Sequence, residues 1–407
     1  MNEVYIVDAI RTPIGKYAGA LKDIRPDDMA ALLIRATVSR VFGESITHSE
    51  IEDVILGNAN GAGEENRNVA RMSVLLSDLP FSVGGVTVNR LCGSGMQAFT
   101  DAVRAIRNGD GECYLAGGVE SMTRAPFVMA KSSEPFGRKT EIYDTTIGWR
   151  FTNPELAKKY YPFSMGETAE NVAESHNISR QQQDEFAFES QMKAKCAIET
   201  GKFKDEIIPI EVKTKKEIYT FDTDEFPKSD TTIEKLSKLK PAFRENGTVT
   251  AGNSSGINDG ASMIMLASEK FIKEHYLKPR AKFISSAVAG VDPSLMGLGP
   301  VPAVRKALIR AGLKSEQVDL IELNEAFASQ SIACINELGL DSGIINVNGG
   351  AIALGHPLGS SGSRIVVTLL HELEKRKLKT GMAAMCIGVG QGIALILERD
   401  SNCLVHT

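Results

Sequence analysis

Residues 33–57, LIRATVSRVFGESITHSEIEDVILG, and residues 308–324, LIRAGLKSEQVDLIELN, follow one plan. Each reads as an amphipathic helix, a polar link containing Ser-Glu, and an apolar strand. The continuations are alike as well. VTVNRLCGSGMQAFTDAVRAIRNGDGECYLAGG follows the first copy, and INVNGGAIALGHPLGSSGSRIVVTLLHELEKRKLKTGMAAMCIG follows the second. Both continuations read as strand, glycine-rich turn, helix and strand. The repeat predicts two similar α/β halves, each alternating strands and helices around a mixed sheet.

Between the halves the texture changes. From about Ser121 to Thr250 the chain is charged and turn-rich, as in EVKTKKEIYTFDTDEFPKSDTTIEKLSKLKPAF. Within it MGETAENVAESHNISRQQQDEFAFESQMKAKCAIETG is helical, with Asn-Ile-Ser as a cap before RQQQDEFAFES. This stretch reads as an insertion folded over the first half. Its basic residues read as a solvated face, with an anion-binding edge as the sharper alternative. The 407 residues exceed the ~250–300 that one core serves, so more than one domain is expected.

A net charge of −5 gives no general attraction to nucleic acid or to an anionic membrane, so an anionic ligand must be met by a local basic patch. No run of about 18 apolar residues offers a membrane span. The opening MNEVYIVDAIRTPIG is too short in its apolar run for a secretory signal, and acids interrupt it. The six cysteines, at 92, 113, 196, 334, 386 and 403, form no C-x-x-C pair. They suggest neither a zinc site nor a disulfide framework, and reduced thiols in a cytoplasmic setting are expected.

One of these thiols is placed like a nucleophile. In NRLCGSG, Cys92 lies between an apolar strand and three small residues that open a helix. A free cysteine is usually a small buried hydrophobe. Here the glycines let backbone amides approach a ligand, and the helix start favours an anion by about 0.3–1 kcal/mol. With a pKa of about 8.5 only about 3% is thiolate at pH 7, so a base or cation is still required. The second half offers one. His356 sits in the glycine-rich turn GGAIALGHPLGSSG, where the repeat places Cys92 in the first half. A lone histidine is more often decoration, but two halves related by a pseudo-twofold would bring these turns to one face.

Cys386 ends another apolar strand in MCIGVGQG. The glycines there mimic a dinucleotide fingerprint, yet IALILER continues as a strand rather than a helix, which excludes it. A sharp strand–turn–strand with a free amide at Gly388 is the better reading. DLIELNEAFA ends its strand on Asn324 and Glu325, where the chain leaves the sheet. GNANGAGEENRNVAR lacks the Gly-Lys-Ser/Thr end of a phosphate loop and reads as turn and helix start.

NRLCGSG, NEAFA, GHPLGSSG and CIGVGQG, in this order over nearly the whole chain, resemble the thiolase family, as do SMGETAENVA and GTVTAGNSSGINDGA. The resemblance implies two βαβαβαββ halves in a five-layer α-β-α-β-α core. The first half would comprise residues 1–120 and 251–269, the second 270–407. An inserted loop domain, 121–250, would cover the site and bind CoA. The implied reaction is thiolytic cleavage of a 3-oxoacyl-CoA by CoA, or the reverse condensation, in a cytoplasmic homodimer or homotetramer.

By the same resemblance Cys92 carries the acyl group, His356 activates it, and Cys386 exchanges protons with the substrate α-carbon or the CoA sulfur. Asn324 holds a water in one oxyanion hole, and the amides of Cys92 and Gly388 form the other. CoA contacts carry over to Ser164, Met165, Phe243, Ala251, Ser255, Ala326 and Phe327, and by spacing alone to Leu156 and Lys228. CoA is a substrate; no cofactor or metal is implied. A thiolate is both nucleophile and leaving group, which reversible cleavage beside a thioester requires. Charge develops on two carbonyl oxygens, so two donor clusters are needed.

Ser164 stands where biosynthetic acetoacetyl-CoA thiolases carry histidine. DTTIGWRF, GEENRNVAR and MCIGVGQG are similar to 3-oxoadipyl-CoA thiolases, whose substrate ends in a carboxylate; Arg138, Lys139 and Arg150 are the cations available to meet it. Acetoacetyl-CoA thiolase is the alternative, and a non-catalytic acyl-CoA or lipid-binding relative is another. Carrier-protein synthases with two histidines and HMG-CoA synthases with a glutamate fit the second cysteine and NEAF less well.

Overall fold

The computed structural model describes residues 2–43, 50–138 and 140–399. Lys139, one of the cation candidates, and Cys403 lie outside them. The first half runs β1 (Val4–Arg11), β2 (Gly15–Lys16), α1 (Pro26–Phe42), β3 (Asp53–Gly57), α2 (Val69–Leu76), β4 (Gly84–Val88), α3 (Ser94–Asn108) and β5 (Cys113–Ser121). The intervening stretch holds β6 (Phe127–Met129), β7 (Ile142–Asp144), α4 (Pro154–Lys159), α5 (Met165–Ser175), α6 (Arg180–Glu199), β8 (Ile210–Lys213), β9 (Ile218–Phe221) and α7 (Ile233–Ser237). Then come β10 (Asn258–Ser268), α8 (Glu269–Glu274), β11 (Ala281–Gly290), α9 (Pro300–Ala311), β12 (Leu320–Leu323), α10 (Ala328–Leu338), α11 (Ala351–Leu354), α12 (Leu358–Arg376), β13 (Thr380–Ile387) and β14 (Gln391–Glu398).

The strands follow the order β12-β13-β14-β11-β1-β10-β5-β3-β4, with β2 beside β10. The halves join at the short antiparallel pairing of Tyr5 with Lys282 and Ile6 with Ala281. Between the two half-sheets lie α3 and α12. Met96, Phe99, Val103 and Ile106 recur at helical spacing on α3 and are buried there with Ile365, Leu369 and Leu373 of α12. Helices α1 and α2 cover the outer face of the first half, and α9 and α10 that of the second. The result is the five-layer α-β-α-β-α core. Helix α12 is buried from Gly359 to Leu373, as a helix between two sheets must be.

The second half departs from the expected strand count. INVNGG was expected to begin with a strand, but residues 345–347 contribute only an isolated bridge, Ile321 to Ile345. Asn346 is the cause. Its backbone is left-handed, at φ 45°. Its side-chain amide takes the place of a neighbouring peptide, accepting from Leu323 N at 2.9 Å and donating to Leu323 O at 2.7 Å.

The stretch between the halves is fastened to the first half. Ile210, Val212 and Phe221 of the β8–β9 hairpin enter its outer core. Arg11, wholly buried, pairs with Glu206 and Asp224, each at 2.7 Å. Ser179 caps α6 in a capping box with Gln182, at the cap expected from the sequence. No described helix is long and apolar enough to cross a membrane.

Candidate active site

Cys92 lies in the turn from β4 to α3, and Leu91 before it is held left-handed at φ 47°. A branched residue there costs about 1–3 kcal/mol, a strain that clusters at functional sites. Across from it the β13–β14 turn begins with Gly388 and holds Val389 at φ 63°. Burial pushes the Cys92 thiol up; the Gly388 and Cys92 amides, both within reach of the sulfur, pull it back, and Glu120 adds a further push. Cys386 is buried and its thiol is pushed well up, first by burial and then by its neighbour Cys92. Both sulfurs rest as thiols, so a base is required before either reacts.

His356 follows Gly355, whose φ of 105° and close approach to the Asn258 side chain leave no room for a Cβ. Its backbone N–H donates to Asn258 Oδ1 at 3.0 Å. The ring Nδ1 lies 2.6 Å from Ser361 Oγ, and that hydroxyl donates to Pro357 O at 2.9 Å. With its hydrogen so committed, Ser361 accepts from Nδ1–H, which assigns the tautomer. Nε2 is left as a lone-pair acceptor, buried and without a partner among the described residues. Burial, with the Arg364 charge adding to it, depresses the His356 pKa to about 3, so the imidazole is neutral.

Asn324 emerges from β12 with its N–H on Ala384 O at 2.9 Å. Its side chain is buried, and neither Oδ1 nor Nδ2 has a partner among the described residues. A buried polar group without a partner costs about 1–3 kcal/mol. Asn324 and His356 Nε2 are the kind of groups that a carbonyl oxygen or a transferring proton can satisfy.

The repeat sets Cys92 and His356 each just ahead of a helix, and the two helices meet at their starts. Helices α3 and α12 start against each other, with Gly362 packed on the Met96 amide and Gly95 on Gly359 and Ser363. Leu358, two residues beyond His356, lines a cleft of ≈ 390 Å³ together with Cys92, Gly388, Ser164, Met165, Glu120, Trp149 and Arg150. Behind it Cys386 packs in an apolar cluster with Ala326 and Phe327, against which Met165 rests.

The expected CoA residues divide. Ser164 caps α5 in a capping box with Glu167 and lines the cleft beside Met165. Phe243 meets Phe327 edge to face, with centroids 6.1 Å apart, and Ser255 N–H donates to Ala326 O at 3.0 Å. Ala251 and Lys228 line a neighbouring cavity of ≈ 170 Å³, where Lys228 stands over Phe226. Leu156 is exposed on α4. Of the cations, Arg150 lies on the cleft wall with its Nη2 donating to Asn60 Oδ1 at 3.2 Å, whereas Arg138 is exposed between β6 and β7.

Four groups escaped the sequence reading: Ser361 and Asn258, which hold His356; Arg364, whose charge acts on it; and Glu120, on the cleft wall. For Glu120 a signal existed in the repeat. Strand β3 pairs with β5 in the register Gly57–Gly118, and β12 with β13 in the register Leu323–Ala384. One residue on, Asn58 is the counterpart of Asn324; two residues on, Glu120 is the counterpart of Cys386.

Two family models match the chain, thiolase N-terminal domain over residues 4–270 and thiolase C-terminal domain over residues 277–399. The chain is 54% identical over 402 residues to the 3-oxoadipyl-CoA/3-oxo-5,6-dehydrosuberyl-CoA thiolase of Escherichia coli (strain K12), covering 98% of this chain and 100% of that protein. Among solved structures it is similar to the Bacillus anthracis acetyl-CoA acetyltransferase, with a TM-score of 0.92, 43% identity and coverage of 98% and 99%. It is also similar to human mitochondrial 3-ketoacyl-CoA thiolase in complex with CoA, with a TM-score of 0.91, 41% identity and coverage of 98% of each chain.

Proposed function

The chain belongs to the thiolase family and is an acyltransferase, and on that premise we propose that its substrate is a 3-oxoacyl-CoA whose chain ends in a carboxylate, 3-oxoadipyl-CoA foremost. The observation that carries this reading is Arg150. Among the described residues that line the cleft with Cys92 it is the cation, and its guanidinium is braced by Asn60. The similarity to a 3-oxoadipyl-CoA thiolase supports the same substrate.

In this reading Cys92 gives its proton to His356 Nε2 and attacks the C3 carbonyl carbon. The amides of Cys92 and Gly388 and the side chain of Asn324 serve the two carbonyl oxygens. The C2–C3 bond then breaks, and its electron pair passes to C2, which takes a proton from Cys386. Acetyl-CoA leaves. The thiol of CoA gives its proton to Cys386 and attacks the acyl group on Cys92, whose sulfur departs and recovers its proton from His356. Met165, Phe243, Ala326 and Phe327 supply the apolar path to the sulfur, and Ser164 stands at its mouth. The enzyme works as a self-associated assembly in the cytoplasm, in cleavage or in the reverse condensation.

A thiolysis panel tests the substrate. Expected is a higher kcat/KM for 3-oxoadipyl-CoA than for acetoacetyl-CoA. A hydrogen bond to a charged group contributes about 1.5–3 kcal/mol, so Arg150→Gln is expected to lower the 3-oxoadipyl-CoA value about 10- to 150-fold, with acetoacetyl-CoA affected far less. Equal turnover of the two substrates by the unaltered enzyme would remove the dicarboxylate reading and leave acetoacetyl-CoA thiolase in its place.

A further inference from the structure

Glu120 stands near the end of β5, 1% exposed, in the cleft wall that Cys92 shares. Its Oε2 accepts from the backbone N–H of Ala59 and of Gly359, each at 2.8 Å. Its Oε1 accepts from Asn60 N–H and from Asn58 Nδ2, each at 3.3 Å. A carboxylate offers about four lone-pair sites, and here all are taken. Glu120 therefore has no site left for substrate, although the repeat makes it the counterpart of the proton-exchanging Cys386.

Its partners lie on two arms of the site. Gly359 opens α12, three residues beyond His356. The backbone there is pressed so closely that a Cβ on Gly359 would stand 2.7 Å from Glu120 Oε2 and 2.6 Å from Val119 O. Asn60, on the other arm, holds Arg150 through Oδ1 and Thr145 through Nδ2, at 2.9 Å to Oγ1. The path from the cation to the imidazole turn is thus Arg150, Asn60, Glu120, Gly359, and each link is a hydrogen bond.

We infer that Glu120 is a positioning residue that fastens the Arg150 arm to the His356 turn, so that the recognition of the distal end of the acyl chain and the alignment of the catalytic imidazole depend on one carboxylate. The catalytic half of this inference stands on the hydrogen bonds alone; the recognition half rests on the dicarboxylate reading given above. Replacing one oxygen by an amide NH₂ would set a donor against the N–H groups on that side, and the two arms would part.

The test is made at pH 8 with the full chain. Glu120→Gln is expected to lower kcat with acetoacetyl-CoA about 100-fold while the KM for CoA stays within about twofold, the size of effect seen when a reacting group is displaced by about 1 Å. A general loss of structure would instead lower the active fraction, which titration of Cys92 with acetyl-CoA reads directly. Asn60→Ala keeps the backbone amide on Glu120 and removes the side-chain links to Arg150 and Thr145. It is expected to lower the 3-oxoadipyl-CoA to acetoacetyl-CoA ratio of kcat/KM at least fivefold. A Glu120→Gln enzyme with kcat within twofold of the original, or one whose loss matches its loss of titratable Cys92, would overturn the catalytic half. An unchanged ratio in Asn60→Ala would overturn the coupling, and this variant decides even if Glu120→Gln does not fold. Should Arg150→Gln leave the substrate ratio unchanged, the dicarboxylate reading fails by itself, and the kcat effect of Glu120→Gln on acetoacetyl-CoA still stands.

Discussion

At Ser361 one hydroxyl decides which nitrogen of His356 is free. The Nδ1 contact at 2.6 Å is the shorter of its two bonds, and the hydrogen of Ser361 is already given to Pro357 O. Removing the hydroxyl leaves a buried Nδ1–H without an acceptor, at a cost of about 1–3 kcal/mol, and lets the proton move to Nε2, where it would block the base. Ser361→Ala is therefore expected to slow the acetylation of Cys92 by acetyl-CoA about 10- to 100-fold. Ser361→Thr, which keeps the hydroxyl, should recover most of that rate. An alanine variant that acylates at the original rate would show that the tautomer is fixed by something else. The same reasoning explains why Ser361 was silent in the sequence. GHPLGSSG announces a turn and a helix, but only the folded chain shows which of its serines faces the imidazole.

The elements that make the site are two helix starts, and the closeness of α3 to α12 is set by glycine. A Cβ on Gly95 would lie 2.5 Å from Ser363 Oγ and 2.8 Å from Gly359 O. Ser363 has little freedom to retreat, since its hydroxyl is bonded to Ser262 Oγ at 2.7 Å and to Ser360 O at 3.0 Å. Gly95→Ala must then push the helices apart, an overpacking that costs about 1–3 kcal/mol. The expected outcome is a lower urea midpoint together with a loss of thiolysis larger than the loss of folded protein, because Cys92 and His356 each sit two residues ahead of the helices that move. A variant with the original midpoint would mean that the contact relaxes locally. These glycines are where the sequence was most readable. The repeated turn, the helix that opens after Cys92, the Ser179 cap and the β13–β14 turn are local signals and lie where expected. What local signals could not convey were long-range substitutions for them. Asn346 replaces a strand with a side-chain amide, a long-range exchange that no local pattern encodes.

For the molecule as a whole, the sheet ends at β4, whose outer edge is unpaired among the described residues. Exposed edges are normally blunted by lysine, proline or a bulge. This one reads GGVTV, with Val86 exposed on the strand and Leu75, Leu76 and Phe81 exposed beside it. An apolar, uncharged edge of this kind fits a second copy of the chain related by a twofold axis, because antiparallel pairing of β4 with itself is self-complementary. The position bears on the proposed reaction, since the residues after β4 are Asn89, Arg90, Leu91 and Cys92, and in such a dimer the turn that holds Cys92, the proposed nucleophile, would be packed against the partner. Val86→Lys places like charges across such an axis, where neither can be solvated. It is expected to convert a dimeric or larger species into single chains by light scattering, and to lower the acetylation of Cys92 in the same samples. If the unaltered protein already runs as a single chain, or the lysine variant keeps its assembled mass, then β4 is not the seam, and the strain at Leu91 must be held by the chain's own contacts: Ser94 Oγ accepting from Arg90 N–H at 2.9 Å and donating to Leu91 O at 2.6 Å.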